Sequence, residues 1–258
     1  MNWHRVLFLF LWISPHALLV VLAVILCKRR LYREFPCFFA YVSYEIAGFM
    51  VLFTLYWFAR HSVAGITANQ YAYAYPAALT FNIALRFGVI DEVCKDLFRE
   101  SQFLKVAARR SLLCVTGLLL GLGVLLAVYA PGDITVRWLA GVFAVNRGAA
   151  MVQSGLLLSL LLFSRFLGVT WRRHAFGIAL GLAVLTSAYL AIYGLRAEFT
   201  SRAATDFLNL LLNGANLVCV LIWIGYVLAP EPEPASLAVV SHDEVETWNT
   251  ELQHLLKD

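Results

Sequence analysis

Residues 76–98 read PAALTFNIALRFGVIDEVCKDLF, an apolar segment that is interrupted by polar and charged side chains. The segment is long enough to cross a lipid bilayer, for which about 20 residues suffice, yet it contains Asn82, Arg86, Asp91 and Glu92. Ionisable side chains within a membrane are costly and turn toward protein rather than lipid. The sequence therefore predicts a membrane-spanning helix that contributes a polar face to the interior of a helical bundle.

The composition of the whole chain indicates the same environment. Of its 258 residues, 61% are hydrophobic and only 14% are charged, whereas a soluble domain carries about 25% charged residues. Seven apolar runs are each long enough to span a bilayer: Val6–Leu26, Phe35–Phe58, Pro76–Phe98, Ser111–Tyr129, Trp138–Phe163, His174–Leu195 and Ala203–Leu228. We therefore predict an all-α membrane protein, with a seven-helix transmembrane bundle over residues 1–229 and with Pro76 as the first residue of the third helix.

The distribution of Lys and Arg predicts the orientation of the bundle. The connections after the first, third and fifth runs contain Lys28, Arg29, Arg30, Arg33, Arg99, Lys105, Arg109, Arg110, Arg165, Arg172 and Arg173. The other side carries five arginines: Arg5, Arg60, Arg137, Arg196 and Arg202. Positive residues favour the cytoplasmic side, so we expect the N-terminus outside and the C-terminus inside. The predicted location is a multi-pass protein of the cell membrane, either a bacterial inner membrane or a plasma membrane.

The chain beyond the last run differs in composition. Residues 230–240 form a linker that begins with alternating Pro and Glu, and residues 241–258 predict a cytoplasmic amphipathic helix that starts at a capping box. One face of this helix is apolar and comprises Val245, Trp248, Leu252 and Leu255. Its other face is acidic, which disfavours anionic lipid. We expect it to contact a second copy in a homodimer, a cytoplasmic protein partner or the basic loops of the bundle; the alternative is a loosely ordered tail.

Two opposite charges lie at a similar depth in neighbouring runs. Glu45 and Arg86 are each about 15 Å from the cytoplasmic end of their helices, at a rise of about 1.5 Å per residue. This predicts an ion pair between the second and third helices. The pair is interpreted either as a strut that fixes the helix register or as a polar site for a ligand or a proton-linked switch.

Polar residues also follow helical spacing in the fifth and seventh runs. They are Asn146, Arg147 and Gln153 in the fifth, and Asp206, Asn209, Asn213 and Asn216 in the seventh. The four residues of the seventh run are spaced by three, four and three and share one helix face. Together with Glu45, Asn82 and Arg86 they predict an outward-opening polar cavity that binds a ligand, with Arg147 and Asp206 as an ion pair. Polar contacts that merely hold the helices together are the alternative.

Two further patterns predict local structure. Asp91 and Glu92 are expected at a solvated helix end, with an Asp91–Lys95 pair. The pairs Gly117/Gly121 and Gly177/Gly181 allow close approach of helix backbones, and packing within the bundle is favoured over packing between copies.

No motif in the sequence indicates catalysis. There is no HExxH or phosphate-binding glycine loop, no GxSxG, and no lysine in the seventh run for a retinal Schiff base. We therefore predict a protein that is not an enzyme, with no catalytic residues, metal, cofactor or nucleic-acid partner, and with five cysteines that serve for packing.

The resulting outline is similar, in topology alone, to the seven-helix sensor regions that precede bacterial signalling domains. We expect a receptor-like or sensor-like module. A small permease or channel would require a continuous polar track past Asn216 to the cytoplasm, whereas a site closed below Arg86 favours the sensor. A structural or assembly subunit of a membrane complex is the third alternative.

Overall fold

The computed structural model describes residues 3–60, 68–99, 102–129, 134–166, 171–198 and 201–230. Within these ranges the chain is helical and has no β-strand. Its helices are α1 Trp3–Lys28, α2 Pro36–Arg60, α3 Ala68–Leu97, α4 Gln102–Tyr129, α5 Ile134–Phe166, α6 Arg173–Glu198 and α7 Arg202–Leu228, with a 3-10 turn at Leu31–Arg33. The predicted tail helix, and the linker after Pro230, lie outside the described residues.

Within the described ranges, four helical segments are long and apolar enough to cross a membrane: Phe10–Lys28, Ala144–Leu162, Arg173–Arg196 and Ala203–Leu228. Residues Pro36–Val51 of α2 form a shorter apolar segment. Large apolar side chains also project outward, as on α4, where Leu118 is 72% exposed and Val128 is 62% exposed. Such a surface suits lipid rather than water. The all-α class is thus confirmed for the described residues, and these segments support a membrane protein.

Several helices begin earlier than the hydropathy predicts. Helix α3 starts at Ala68, so Pro76 is not its first residue, and α4 starts at Gln102 rather than at Ser111. The charge of residues 99–110 predicts a loop, but residues 102–110 are rich in good helix formers. A helix does not have to end where its apolar segment ends, because helix propensity is independent of the membrane boundary.

Helix α3 occupies the centre of the bundle. It contacts α2, α4, α5 and α6, while α1 packs between α2 and α7. Its buried residues toward the C-terminal end join an apolar core that includes Phe38 of α2 and Trp223 of α7. The rings of Trp223 and Phe38 pack edge to face, with their centroids 5.1 Å apart. The Trp223 Nε1–H donates a hydrogen bond to the Ile178 carbonyl oxygen, at an N–O distance of 3.2 Å.

One glycine pair packs as expected and the other does not. A Cβ on Gly177 would lie 2.2 Å from Tyr226 Cβ, and one on Gly181 would lie 2.4 Å from Trp223 Nε1, so these glycines let α7 approach α6 closely. Gly117, by contrast, is exposed, and a Cβ added to it would have no atom of another helix within 4 Å. The same holds for Gly121. The prediction of packing within the bundle is confirmed for α6 and is wrong for α4.

The C-terminal end of α7 is held by arginines at one end of the bundle, which we call the Arg29 end. Arg29 donates to the carbonyls of Val227 at 2.8 Å and Leu228 at 3.0 Å, and Arg173 donates to the Pro230 carbonyl at 3.0 Å. The last carbonyls of a helix lack intrahelical partners and carry partial negative charge. These arginines therefore satisfy the carbonyls at the C-terminal end of α7 and just after it.

Glu92 also lies toward the Arg29 end, and its environment differs from the prediction. It is only 9% exposed, and its two carboxylate oxygens accept hydrogen bonds from the backbone N–H groups of Cys37 and Phe38, both at 2.9 Å. These amides belong to the first turn of α2, where N–H groups lack intrahelical partners and favour a negative charge. The expectation of a solvated Glu92 is therefore wrong, whereas the Asp91–Lys95 pair is confirmed.

Arg172 connects three parts of the chain at the same end. It pairs with Glu34 at 2.7 Å and with Asp96 at 3.3 Å. Because Arg172 is 30% exposed and its partners Glu34 and Asp96 are 47% and 14% exposed, we expect Arg172→Gln to lower the free energy of unfolding by about 1 kcal/mol. The measurement is the difference in the free energy of unfolding between the wild type and Arg172→Gln, at low salt and at about 1 M salt. This difference should be smaller at about 1 M salt, where the Debye length is only about 3 Å. A loss above about 2 kcal/mol would contradict the surface character of the pair.

Candidate functional site

A group of polar side chains from four helices meets a single turn of α3, residues 82–86. We call Glu45, Asn82, Arg86, Gln153 and Tyr189 the Arg86 cluster. Asn82 Nδ2 donates to Glu45 Oε1 at 2.5 Å, and Gln153 Nε2 donates to the Ile83 carbonyl at 3.5 Å. The Arg86 guanidinium lies 4.6 Å from the centre of the Tyr189 ring. The cluster therefore joins α2, α5 and α6 to the middle of α3.

The members of the Arg86 cluster on α3 and α5 are buried. Arg86 is 3% exposed, Asn82 is 8% exposed and Gln153 is 1% exposed. Buried positive charge requires compensation, and the negative face of an aromatic ring supplies about 2 kcal/mol or more when the pair is desolvated. The Tyr189 ring gives Arg86 this compensation.

The predicted direct ion pair between Glu45 and Arg86 is wrong, because no salt bridge joins these two described residues. Asn82 precedes Arg86 by one helical turn on the same face of α3, and its amide takes the Glu45 carboxylate. Glu45 therefore reaches the same face of α3 as Arg86 through the Asn82 amide. Glu45 and Arg86 are thus neighbours in one cluster rather than a closed pair.

A second set of polar contacts follows the same face of α6. Asn146 Nδ2 donates to the Tyr193 hydroxyl, and the Tyr193 ring stacks on Tyr189 with centroids 5.9 Å apart. Arg196 Nη2 donates to Asn209 Oδ1. Tyr189, Tyr193 and Arg196 are spaced by four and three residues, so they form one stripe that leads from the Arg86 cluster away from the Arg29 end.

The remaining predicted residues lie at the edge of this arrangement or outside it. Arg147 and Asp206 are exposed, and no ion pair joins them, so their predicted pairing is wrong. Arg147 follows the buried Asn146 and is rotated about 100° from it around the helix axis. Asn213 and Asn216 are half-buried, and no hydrogen bond joins either side chain to the described part of the chain.

Three polar atoms of the Arg86 cluster are buried without a hydrogen-bond partner. They are Arg86 Nε, Asn82 Oδ1 and Gln153 Oε1. Each such group costs about 1–3 kcal/mol when it is left unsatisfied, and buried polar groups in proteins are normally bonded. One charged donor and two acceptors around a single helical turn form an arrangement that can bind a small polar molecule.

The sequence analysis missed the contribution of α6. Both Tyr189 and Tyr193 fall in the apolar run His174–Leu195, although tyrosine also supplies a hydroxyl and an electron-rich ring. The spacing of Tyr189, Tyr193 and Arg196 was available as a signal. It would have indicated that α6 has one polar face.

Comparison with known proteins identifies no relative: the chain matches no protein-family model, no curated protein and no solved structure. Among the described residues, no group of three or more His, Cys, Asp or Glu side chains lies close enough to hold a metal ion.

Proposed function

We propose that the chain is a seven-helix integral membrane protein with a sensor-like or receptor-like role, and that the Arg86 cluster binds a small polar molecule. The observation that carries this proposal is the presence of three unpartnered, buried polar atoms on or beside one turn of α3. A purely structural strut would be expected to satisfy its own buried hydrogen bonds. A binding site leaves some of them for the ligand.

The polarity of the interior favours access from the side opposite to the Arg29 end. On that side of Arg86 lie the polar contacts of Tyr193 with Asn146 and of Arg196 with Asn209. Toward the Arg29 end, the buried residues of α3 are apolar, apart from the capping Glu92: Phe87, Val89, Ile90, Val93, Cys94 and Leu97. A permease requires a continuous polar path, so this apolar packing favours a site that is closed toward the predicted cytoplasm.

Helix α7 offers a route from the site to a partner. It carries Asn209 beside the polar stripe, and its opposite end is bonded to Arg29 and Arg173. The linker follows directly at Pro230. In the proposed role, ligand binding changes the packing of α7, and the predicted tail helix transmits that change to a second copy or a cytoplasmic protein.

The proposal is tested with the full-length protein in lipid nanodiscs and a panel of small polar metabolites, with thermal unfolding as the readout. A ligand at about 100 times its dissociation constant stabilises the folded state by about 2.7 kcal/mol. We expect at least one compound to stabilise the wild type and the Arg147→Gln variant but not the Arg86→Gln variant. Arg147→Gln is a matched control because it removes the same charge from an exposed position.

Besides the case in which no compound stabilises the wild type, two outcomes would contradict the proposal. If Arg86→Gln responds to the stabilising compound as the wild type does, the cluster is not the binding site. If proteoliposomes transport that compound and Arg86→Gln abolishes the flux, the chain is a permease rather than a sensor.

A further inference from the structure

We infer that the molecule bound by the Arg86 cluster is a small zwitterion of the amino-acid class. Its carboxylate would bind Arg86, and its ammonium group would bind Glu45 and the amide oxygens of Asn82 and Gln153. This inference rests on the function proposed above and specifies the ligand of that same site.

The positive half of the site is the edge of the Arg86 guanidinium. Arg86 Cζ lies 4.6 Å from the centre of the Tyr189 ring, and the N–H groups of a guanidinium point outward in its own plane. One of them, Nε–H, is buried and has no partner. A carboxylate matches this planar set of donors and accepts charge-assisted hydrogen bonds from it.

The negative half consists of three oxygen acceptors. Glu45 contributes a carboxylate that is already bonded to Asn82 through one oxygen. Asn82 Oδ1 and Gln153 Oε1 are buried acceptors without donors. An ammonium group has three donors and no acceptor, so it matches this set in number and in charge.

The charge balance separates a zwitterion from simpler ions. Glu45 and Arg86 contribute one negative and one positive charge to the same cluster. A simple anion on Arg86 would face the like charge of Glu45, and a simple cation on Glu45 would face that of Arg86. A zwitterion adds no net charge to a low-dielectric interior, where an unbalanced charge is costly, and it pairs with both residues.

The sites of attachment are also suitably spaced. Asn82 and Arg86 are four residues apart, which corresponds to about 6 Å along α3 at about 1.5 Å per residue. The two side chains lie on the same face of the helix. A molecule that carries its opposite charges within a few bonds of each other can therefore contact both positions at once.

The experiment measures binding of the twenty standard amino acids to the full-length protein in lipid nanodiscs by thermal unfolding and titration calorimetry. Each amino acid that binds is compared with its deaminated carboxylate and its decarboxylated amine; for alanine these are propionate and ethylamine. We expect at least one amino acid to bind, and both single-charge analogues to bind at least tenfold more weakly.

Glu45→Gln and Arg86→Gln should each weaken binding at least tenfold, while Asp206→Asn and Arg147→Gln leave it unchanged. If Arg86→Gln does not fold, Arg86→Lys replaces it, since lysine keeps the charge but lacks the planar donor set.

The outcomes distinguish this inference from the proposed function. If the deaminated carboxylate binds as tightly as its amino acid and Glu45→Gln has no effect, the site takes a simple anion; the zwitterion inference then fails and the binding function stands. If no amino acid binds but another polar metabolite stabilises the protein through Arg86, the ligand class is again wrong. If no compound of either panel binds, both proposals fail.

Discussion

Replacement of Gly177 by alanine is expected to lower the free energy of unfolding by about 3 kcal/mol, a large value for the addition of one methyl group. The new Cβ would lie 2.2 Å from Tyr226 Cβ and 2.4 Å from Tyr226 Cγ. These atoms are close to the backbone of α7, so no side-chain rotation can move Tyr226 Cβ away. The substitution therefore forces α6 and α7 apart and exposes part of the core around Trp223.

The exposed glycines of α4 provide a matched control within the same protein. Gly117→Ala meets nothing within 4 Å of the added Cβ, and alanine is favoured over glycine in a helix by about 1 kcal/mol. We expect this variant to be as stable as the wild type or slightly more stable. Thermal or denaturant unfolding in one lipid or detergent system compares the pair. Equal stability of the Gly177→Ala and Gly117→Ala variants would contradict the close packing of α6 against α7.

The helices themselves could be predicted because their cause is local. An apolar run long enough to cross a bilayer also satisfies its own backbone hydrogen bonds as a helix, and charges separate one run from the next. Arg86 and Asn82 could be placed in the interior on the same grounds, since lipid offers polar groups no partner. The first residues of α3 and α4 were harder to predict from the sequence, because helix propensity continues beyond the apolar segment.

The partners within the interior depend on how faces meet, which spacing alone does not determine. Asn82 and Arg86 lie on one face of α3, so the sequence indicates that both point inward but not which of them bonds Glu45. In the structure Asn82 does so, and Arg86 packs on Tyr189. Tyr189 could not be recognised as its partner because α6 is distant in sequence and a tyrosine in an apolar helix resembles a core residue.

The glycine pairs show the same limit. The sequences around Gly117 and Gly177 have the same four-residue spacing, but only α6 lies beside a helix that places large aromatic side chains over its glycines. Spacing predicts that a close approach is permitted. The arrangement of the neighbouring helices determines whether it occurs.

Replacement of Glu92 by alanine is expected to cost about 3 kcal/mol in the free energy of unfolding. The change removes two charge-assisted hydrogen bonds, each worth about 1.5–3 kcal/mol, and leaves the backbone N–H groups of Cys37 and Phe38 without acceptors. It also removes a negative charge from the N-terminus of α2, where the helix dipole favours one. Glu92→Gln should fall between the wild type and alanine, because its amide keeps one acceptor oxygen and loses the charge.

Asp91→Asn is the matched control, because it neutralises the adjacent carboxylate while leaving both hydrogen bonds to α2 intact. Asp91 pairs with Lys95 one turn away, and the Lys95 side chain is 50% exposed, so its loss should cost less than about 0.5 kcal/mol. Amide hydrogen exchange gives a second, local readout: the N–H groups of Cys37 and Phe38 should exchange faster in Glu92→Ala, and at the wild-type rate in Asp91→Asn. Unchanged exchange at these two amides in Glu92→Ala would show that Glu92 does not cap α2, even if the variant were less stable.

The cap matters beyond the first turn of α2, because that helix carries Glu45 into the Arg86 cluster. A frayed α2 should therefore also weaken binding at Arg86, although the hydrogen bonds of Glu92 go to Cys37 and Phe38 and not to the cluster.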